Sequence, residues 1–165
     1  MLCVSGLCRL AGAALVLSLC MSVIVEAASP ETALIKSRQD KLRDMGGALK
    51  AIDDELKKGK PDWDNVILPN TDTLQERSGF LLNWFPKGSG PESGVKTYAL
   101  PAIWQKADDF TKLGKAMQAE VVKFKQVAGT RNADALKVES IALGKSCKAC
   151  HDNNRSPDYE KENED

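Results

Sequence analysis

The chain has 165 residues, enough for one domain, of which 42% are hydrophobic and only 5% aromatic. Its 23 basic residues balance 23 acidic ones. No basic run and no interleaving of aromatic with basic side chains occurs, which argues against a nucleic-acid-binding chain.

Residues 1–27 read as a signal peptide. Arg9 supplies a positive start, Leu10 to Val25 is an apolar run, and Val25-Glu26-Ala27 places a cleavage site after Ala27. A retained membrane anchor is the competing reading, but the run is short for a span and ends in a processing site. A lipid-modified Cys20 fits less well, because Leu19 is large where a small residue is expected. Cleavage removes Cys3, Cys8 and Cys20 and leaves a mature protein with no membrane segment. The organisation expected is a cleaved signal peptide (1–27), a folded domain (28–157) and a flexible acidic tail (158–165).

The mature chain reads as almost wholly helical. Ser29-Pro30-Glu31 is a helix start: a capping serine, proline at the first helical position and an acid in the first turn. Leu34/Ile35, Arg38, Leu42, Met45, Leu49, Ile52 and Leu56 then recur in steps of four and three, the seam of a bundle helix. Gly59 and Pro61 end it.

A second helix carries Ile67, Leu74 and Leu81 seven apart. It begins at Asp62-Trp63-Asp64, with Pro69 kinking it, or at Pro69 itself. Trp84-Phe85-Pro86 closes it. Residues 87–100 are too rich in Gly and Pro for a regular element. A third helix starts at Pro101 and carries Ile103, Ala107, Phe110, Gly114, Met117, Val121, Phe124 and Ala128, with Gly129 as its stop. Asn132 caps a fourth, along which Leu136, Ser140, Leu143, Cys147 and Cys150 extend the seam. No strand pattern and no repeat is present. Four amphipathic helices with mostly short connections predict an all-α, antiparallel four-helix bundle.

The chemistry lies near the end, in Cys147-Lys148-Ala149-Cys150-His151. Two cysteines three apart followed at once by histidine is the attachment pattern of c-type haem. Each thiol bonds one haem vinyl group, and the neighbouring imidazole becomes an axial iron ligand. On a helix all three side chains share a face. A disulfide, a zinc site and a thioredoxin-type pair compete with this reading. The spacing on a helix suits a disulfide badly. Zinc needs four ligands, and His151 is the only histidine in the chain. A thioredoxin pair needs a βαβ context that the sequence lacks. One haem c with iron is therefore expected in the bundle core, where it would supply apolar volume that the sparse aromatic residues do not.

Arg38 sits on the seam of the first helix, where a buried guanidinium needs an anionic partner. A haem propionate is such a group; the alternative is an arginine that snorkels to water. Gly46 and Gly47 follow one turn beyond Leu42 and would let a flat macrocycle approach closely.

Four stretches together resemble the class II cytochromes c, the cytochromes c′ and their low-spin relatives. They are Arg38-Gln39-x-x-Leu42-Arg43-x-x-Gly46-Gly47, Phe85-Pro86-x-Gly88-Ser89, Pro101-x-Ile103-Trp104 and Cys147-x-x-Cys150-His151-x-x-x-Arg155. The resemblance implies an up-down-up-down bundle, often a homodimer, with covalent haem near the C-terminus. It places Arg38, Gln39, Leu42, Met45 and Arg155 in the haem pocket, with Arg155 beside the His151 face.

Low-spin members carry a methionine sixth ligand four residues after the N-terminal arginine, whereas cytochromes c′ usually carry a bulky apolar residue there and leave the iron five-coordinate. Here that position is Leu42, as in cytochrome c′, although the middle motifs look more like the low-spin branch. Met45, one turn away, is either ordinary core packing or, in a shifted register, the sixth ligand. Asn154 stands where the family commonly has an aromatic residue, so packing should change there.

The function implied is electron transfer in the periplasm with redox partner proteins. The alternative is capture of small diatomic gases, nitric oxide or carbon monoxide, at a five-coordinate iron. An enzyme is not expected, since no second histidine and no catalytic carboxylate pair can be placed.

Overall fold

The computed structural model describes residues 29–163. The stretch read as a signal peptide (1–27) lies outside the described residues. The elements in chain order are α1 (Pro30–Leu56), a π-helical turn (Trp63–Ile67) running directly into α2 (Leu68–Phe80), a 3-10 turn (Leu81–Trp84), a loop with a second 3-10 turn (Pro91–Ser93), the single turn α3 (Ala102–Gln105), and then α4 (Ala107–Gly129), α5 (Ala133–Asn154) and α6 (Asp158–Asn163). α1, α2, α4 and α5 are the four helices of an antiparallel bundle.

Local chemistry explains the helix ends. The Ser29 hydroxyl accepts from Thr32 N at 3.2 Å, and Asn132 Oδ1 accepts from Asp134 N and Ala135 N at 3.1 and 3.0 Å. Caps of this kind stabilise a helix by about 1 kcal/mol each. Pro69 sits in the first turn of α2, where its missing N–H costs no intrahelical bond. The proline therefore marks the true start of the α-helix, and the residues before it take the wider π winding, with Ile67 N bonded to Asp62 O at 3.1 Å.

The predicted third helix differs from the structure in one respect. It is broken at Lys106, whose backbone leaves the helical region (φ −123°, ψ 52°). The Trp104 indole N–H donates to the Phe85 and Pro86 carbonyls at 3.1 and 3.0 Å, which ties the short α3 turn to the preceding loop. The break rotates Ala107 out of the expected seam and leaves it exposed. From Phe110 onward the seam is as expected: Phe110, Gly114, Met117, Val121, Phe124 and Ala128 are all buried.

The core runs along the bundle axis through Ile52, Ile67, Val121, Phe124 and Leu136, each fully buried. Burying one such side chain contributes about 1.5–3 kcal/mol. α5 packs on α4, and α1 and α4 both pack on α2. Along α1, Leu42 and Leu49 are only half-buried while Ile35, Met45 and Ile52 are buried. The two half-buried leucines line a cavity between α1 and α5.

The acidic stretch read as a flexible tail contains the short helix α6, with Glu162 joined to Lys96 and to the Tyr98 hydroxyl.

Candidate functional site

The cavity has a volume of about 630 Å³, within the range of about 300–1,000 Å³ usual for cofactor sites. α1 lines one side with Arg38, Gln39, Leu42, Met45, Gly46 and Gly47, and α5 the other with Leu143, Cys147, Cys150 and His151. Phe110, Met117 and Val121 of α4 contribute apolar surface, and Thr97, Tyr98 and Tyr159 also line it. Every site residue expected from the sequence, Arg155 included, lines this one cavity.

The helical spacing of α5 places the three key groups. Cys147 and Cys150 are free, half-buried thiols; burial raises both above the usual thiol range. The Asn154 amide donates to the Cys150 carbonyl at 2.9 Å, so the asparagine that replaces an expected aromatic is buried against the attachment turn. Burial, and after it the Arg155 cation, holds the His151 imidazole down at about 4. At neutral pH it is thus uncharged, the form that ligates a metal. Among the described residues no cluster of three or more His, Cys, Asp or Glu side chains is arranged to hold a metal ion, so the zinc alternative gains nothing from the fold.

The site fits a flat, largely apolar group carrying covalent attachment points. At Gly46 and Gly47 an added Cβ would meet nothing within 4 Å. Two glycines inside α1 therefore face open space, at a cost in helix propensity of about 1 kcal/mol each.

Arg38 corrects part of the sequence reading. It does not snorkel, being only 2% exposed. Its guanidinium also has partners inside the protein, donating to Ser89 Oγ (2.9 Å), Ser89 O (3.0 Å), Thr97 Oγ1 (3.0 Å) and Trp84 O (3.4 Å) while its carbon lies 4.7 Å from the Phe85 ring centroid. All four acceptors are neutral. Burial lowers its pKa to about 10, so it remains a cation on the cavity wall with hydrogen bonds but no counter-charge.

Arg38 thus staples residues 84–97 to α1. Arg38→Leu leaves buried acceptors unpaired at about 1–3 kcal/mol each. The expected loss, read by urea denaturation, is about 3 kcal/mol. Arg38→Lys should not restore it, because an ammonium cannot reproduce the planar fork.

Met45 is 8% exposed and belongs to the apolar core, whereas Leu42 is half-buried one turn before it. Gln39 Nε2 donates to Lys96 O at 3.3 Å. Arg155 pairs with Glu160 at 2.6 Å and lies 4.5 Å from the Tyr159 ring centroid.

Sequence reasoning assigned no role to Ser89, Thr97, Tyr98 or Tyr159. The available signal was that Tyr98 and Tyr159 are the only two tyrosines of the chain, Tyr159 in an otherwise polar stretch.

Comparison with known proteins places this geometry. The sequence profile of the family described as Cytochrome C′ matches residues 33–155. A cytochrome c′ from Alcaligenes xylosoxydans xylosoxydans is 34% identical over 125 residues, covering 76% of this chain and 94% of that protein. A cytochrome c-554 from Cereibacter sphaeroides is 39% identical over 74 residues, 45% of this chain and about half (48%) of that protein. A solved nitric oxide complex of a point mutant of cytochrome c prime from Alcaligenes xylosoxidans superposes with TM-score 0.69 at 27% identity, covering 79% of this chain and 99% of that one. The profile match spans the whole bundle from α1 through the cysteine–histidine turn, so the chain belongs to the cytochrome c′ family of class II c-type cytochromes, four-helix bundles whose cofactor is haem c.

Proposed function

We propose that the protein is an exported, periplasmic electron carrier that holds one haem c in the α1–α5 cavity. The observation that carries this reading is the convergence of two free thiols and the only imidazole of the chain on one face of α5, against an apolar cavity of about 630 Å³. Bound haem supplies the redox chemistry, its iron alternating between the ferric and ferrous states.

The chain's own residues do the rest. Cys147 and Cys150 would hold the haem covalently through their thiols. His151, kept neutral by its surroundings, would supply a nitrogen ligand to its iron. Arg38 offers an uncompensated cation to a propionate. Leu42, Met117 and Val121 exclude water and keep the local dielectric low, so that little solvent reorganises when an electron moves. Export fits the apolar start of the sequence, and no helix among the described residues is long and apolar enough to cross a membrane.

A second reading rests on Leu42. This side chain has no donor atom and lines the cavity from the helix facing His151, which favours an iron open on one side to small neutral diatomic gases. The nitric oxide complex of the Alcaligenes protein gives this reading its precedent.

Spectroelectrochemical titration of the purified, haem-loaded protein tests the carrier function. The expected result is a fully reversible one-electron wave with rapid exchange through small mediators. Irreversible or multi-electron behaviour would contradict it.

A further inference from the structure

The family match ends at Arg155, yet the chain continues and folds back on the cavity. Segment 98–100 pairs antiparallel with segment 154–156: Leu100 N donates to Asn154 O at 2.9 Å, and Ser156 N to Tyr98 O at 2.7 Å. The pairing brings the rings of Tyr98 and Tyr159 to 5.2 Å in an edge-to-face contact, with both rings lining the cavity. Tyr98 donates its hydroxyl proton to Glu162 at 2.7 Å, and Lys96 pairs with the same carboxylate. The Tyr159 ring covers one side of the Arg155 guanidinium, and Glu160 holds its edge. Arg155 is one helical turn beyond His151 and lines the same cavity.

We propose that α6 is a C-terminal strap in which Tyr159 is a positioning residue and Glu160 a partial counter-charge. Tyr159 holds the Arg155 cation on the cavity wall that His151 also lines, Glu160 tempers its charge, and together they set the redox potential of the bound haem from a segment outside the region shared with the family. The inference rests on the reading above that His151 ligates the haem.

The physical argument has two parts. Ferric haem carries one more positive charge than ferrous haem, so a fixed cation nearby favours the reduced state, and favours it more strongly where water is excluded. Tyr159 both fixes that cation and lines the cavity. Glu160 acts in the opposite sense, because its carboxylate neutralises part of the Arg155 charge. The replacement of an aromatic by Asn154 is consistent with this design: the aromatic surface near Arg155 comes from the strap.

The test is the midpoint potential of the full-length, haem-loaded protein and three variants, after covalent haem has been verified by haem staining of the denatured chains. Tyr159→Ala should lower the potential, since Arg155 moves into water and water reaches the cavity. Tyr159→Phe, which keeps the ring over Arg155, should lower it far less than Tyr159→Ala does. Glu160→Gln should raise it.

Tryptic cleavage after Lys161 gives a readout independent of the haem chemistry, and should accelerate in Tyr159→Ala but not in Tyr159→Phe. If all three variants keep the wild-type potential, the strap is structural only and the proposal fails. It fails too if Tyr159→Phe shifts the potential as far as Tyr159→Ala. Should Tyr159→Ala not fold, Glu160→Gln decides, its carboxylate being exposed. A wild-type chain without covalent haem would overturn the site reading itself, a result distinct from either failure.

Discussion

Cys147→Ala combined with Cys150→Ala yields a protein whose haem is lost to acidified organic solvent, whereas the wild type retains it. A chain that acquires no haem at all loses most of its thermal stability. The magnitude follows from the cavity. An empty, dry void of 630 Å³, at about 24 cal/mol per Å³, costs on the order of 15 kcal/mol. That equals the whole stability of a typical domain, about 5–15 kcal/mol. Water entry and inward collapse of α1 relieve part of the cost, so the haem-free chain is expected to keep helix but lose fixed packing. Far-ultraviolet circular dichroism should persist while the near-ultraviolet signal disappears. His151→Ala makes the complementary point. Haem stays bound through the thioethers, but the native iron spectrum is lost, because no other histidine exists to replace the ligand. An unchanged spectrum in that variant would refute the assignment of His151.

Leu42→Met should convert the iron to low spin. The side chain occupies the cavity wall one helical turn after Arg38, on α1, while His151 lines the same cavity from α5. A thioether there would offer a donor atom to the iron, whereas the leucine methyls have none. A sixth protein ligand must be displaced before a gas can bind, so carbon monoxide affinity should fall at least about tenfold, or about 1.4 kcal/mol. Met45→Leu should leave the spin state alone, because Met45 is packed into the core with Ala48 and Ile52. If Met45→Leu changes the spectrum and Leu42→Met does not, the sulfur of Met45 is the ligand and Leu42 is not the lid.

Much of this arrangement was legible before any coordinates. Steps of three and four along α1, α4 and α5 identify the buried faces, because a helix must turn one stripe inward whatever its partner. The same periodicity put Arg38 in the core, and Cys147-x-x-Cys150-His151 is a local motif whose spacing alone implies one helix face.

What escaped the sequence depends on contacts between distant residues. The break at Lys106 is tied to Trp104 bonding carbonyls 18 and 19 residues earlier, and hydrophobic spacing contains no information about that. The partners of Arg38 come from a loop 46–59 residues away, so its burial was readable but its hydrogen bonds were not. Tyr159 looked like part of a solvated acidic tail because its role arises only when segment 154–156 pairs with segment 98–100. Leu49 read as an ordinary seam residue, since a cavity awaiting a cofactor and a closed core have the same apolar pattern along one helix.

The most direct test of the account is the optical spectrum of the purified, haem-loaded wild-type protein, oxidised and reduced, with and without carbon monoxide. The arrangement of His151 on one side and Leu42 on the other predicts a high-spin ferrous spectrum that shifts when carbon monoxide is added. A low-spin ferrous spectrum indifferent to carbon monoxide would contradict that arrangement of the pocket: a protein side chain would occupy the sixth position, and electron transfer without gas binding would remain.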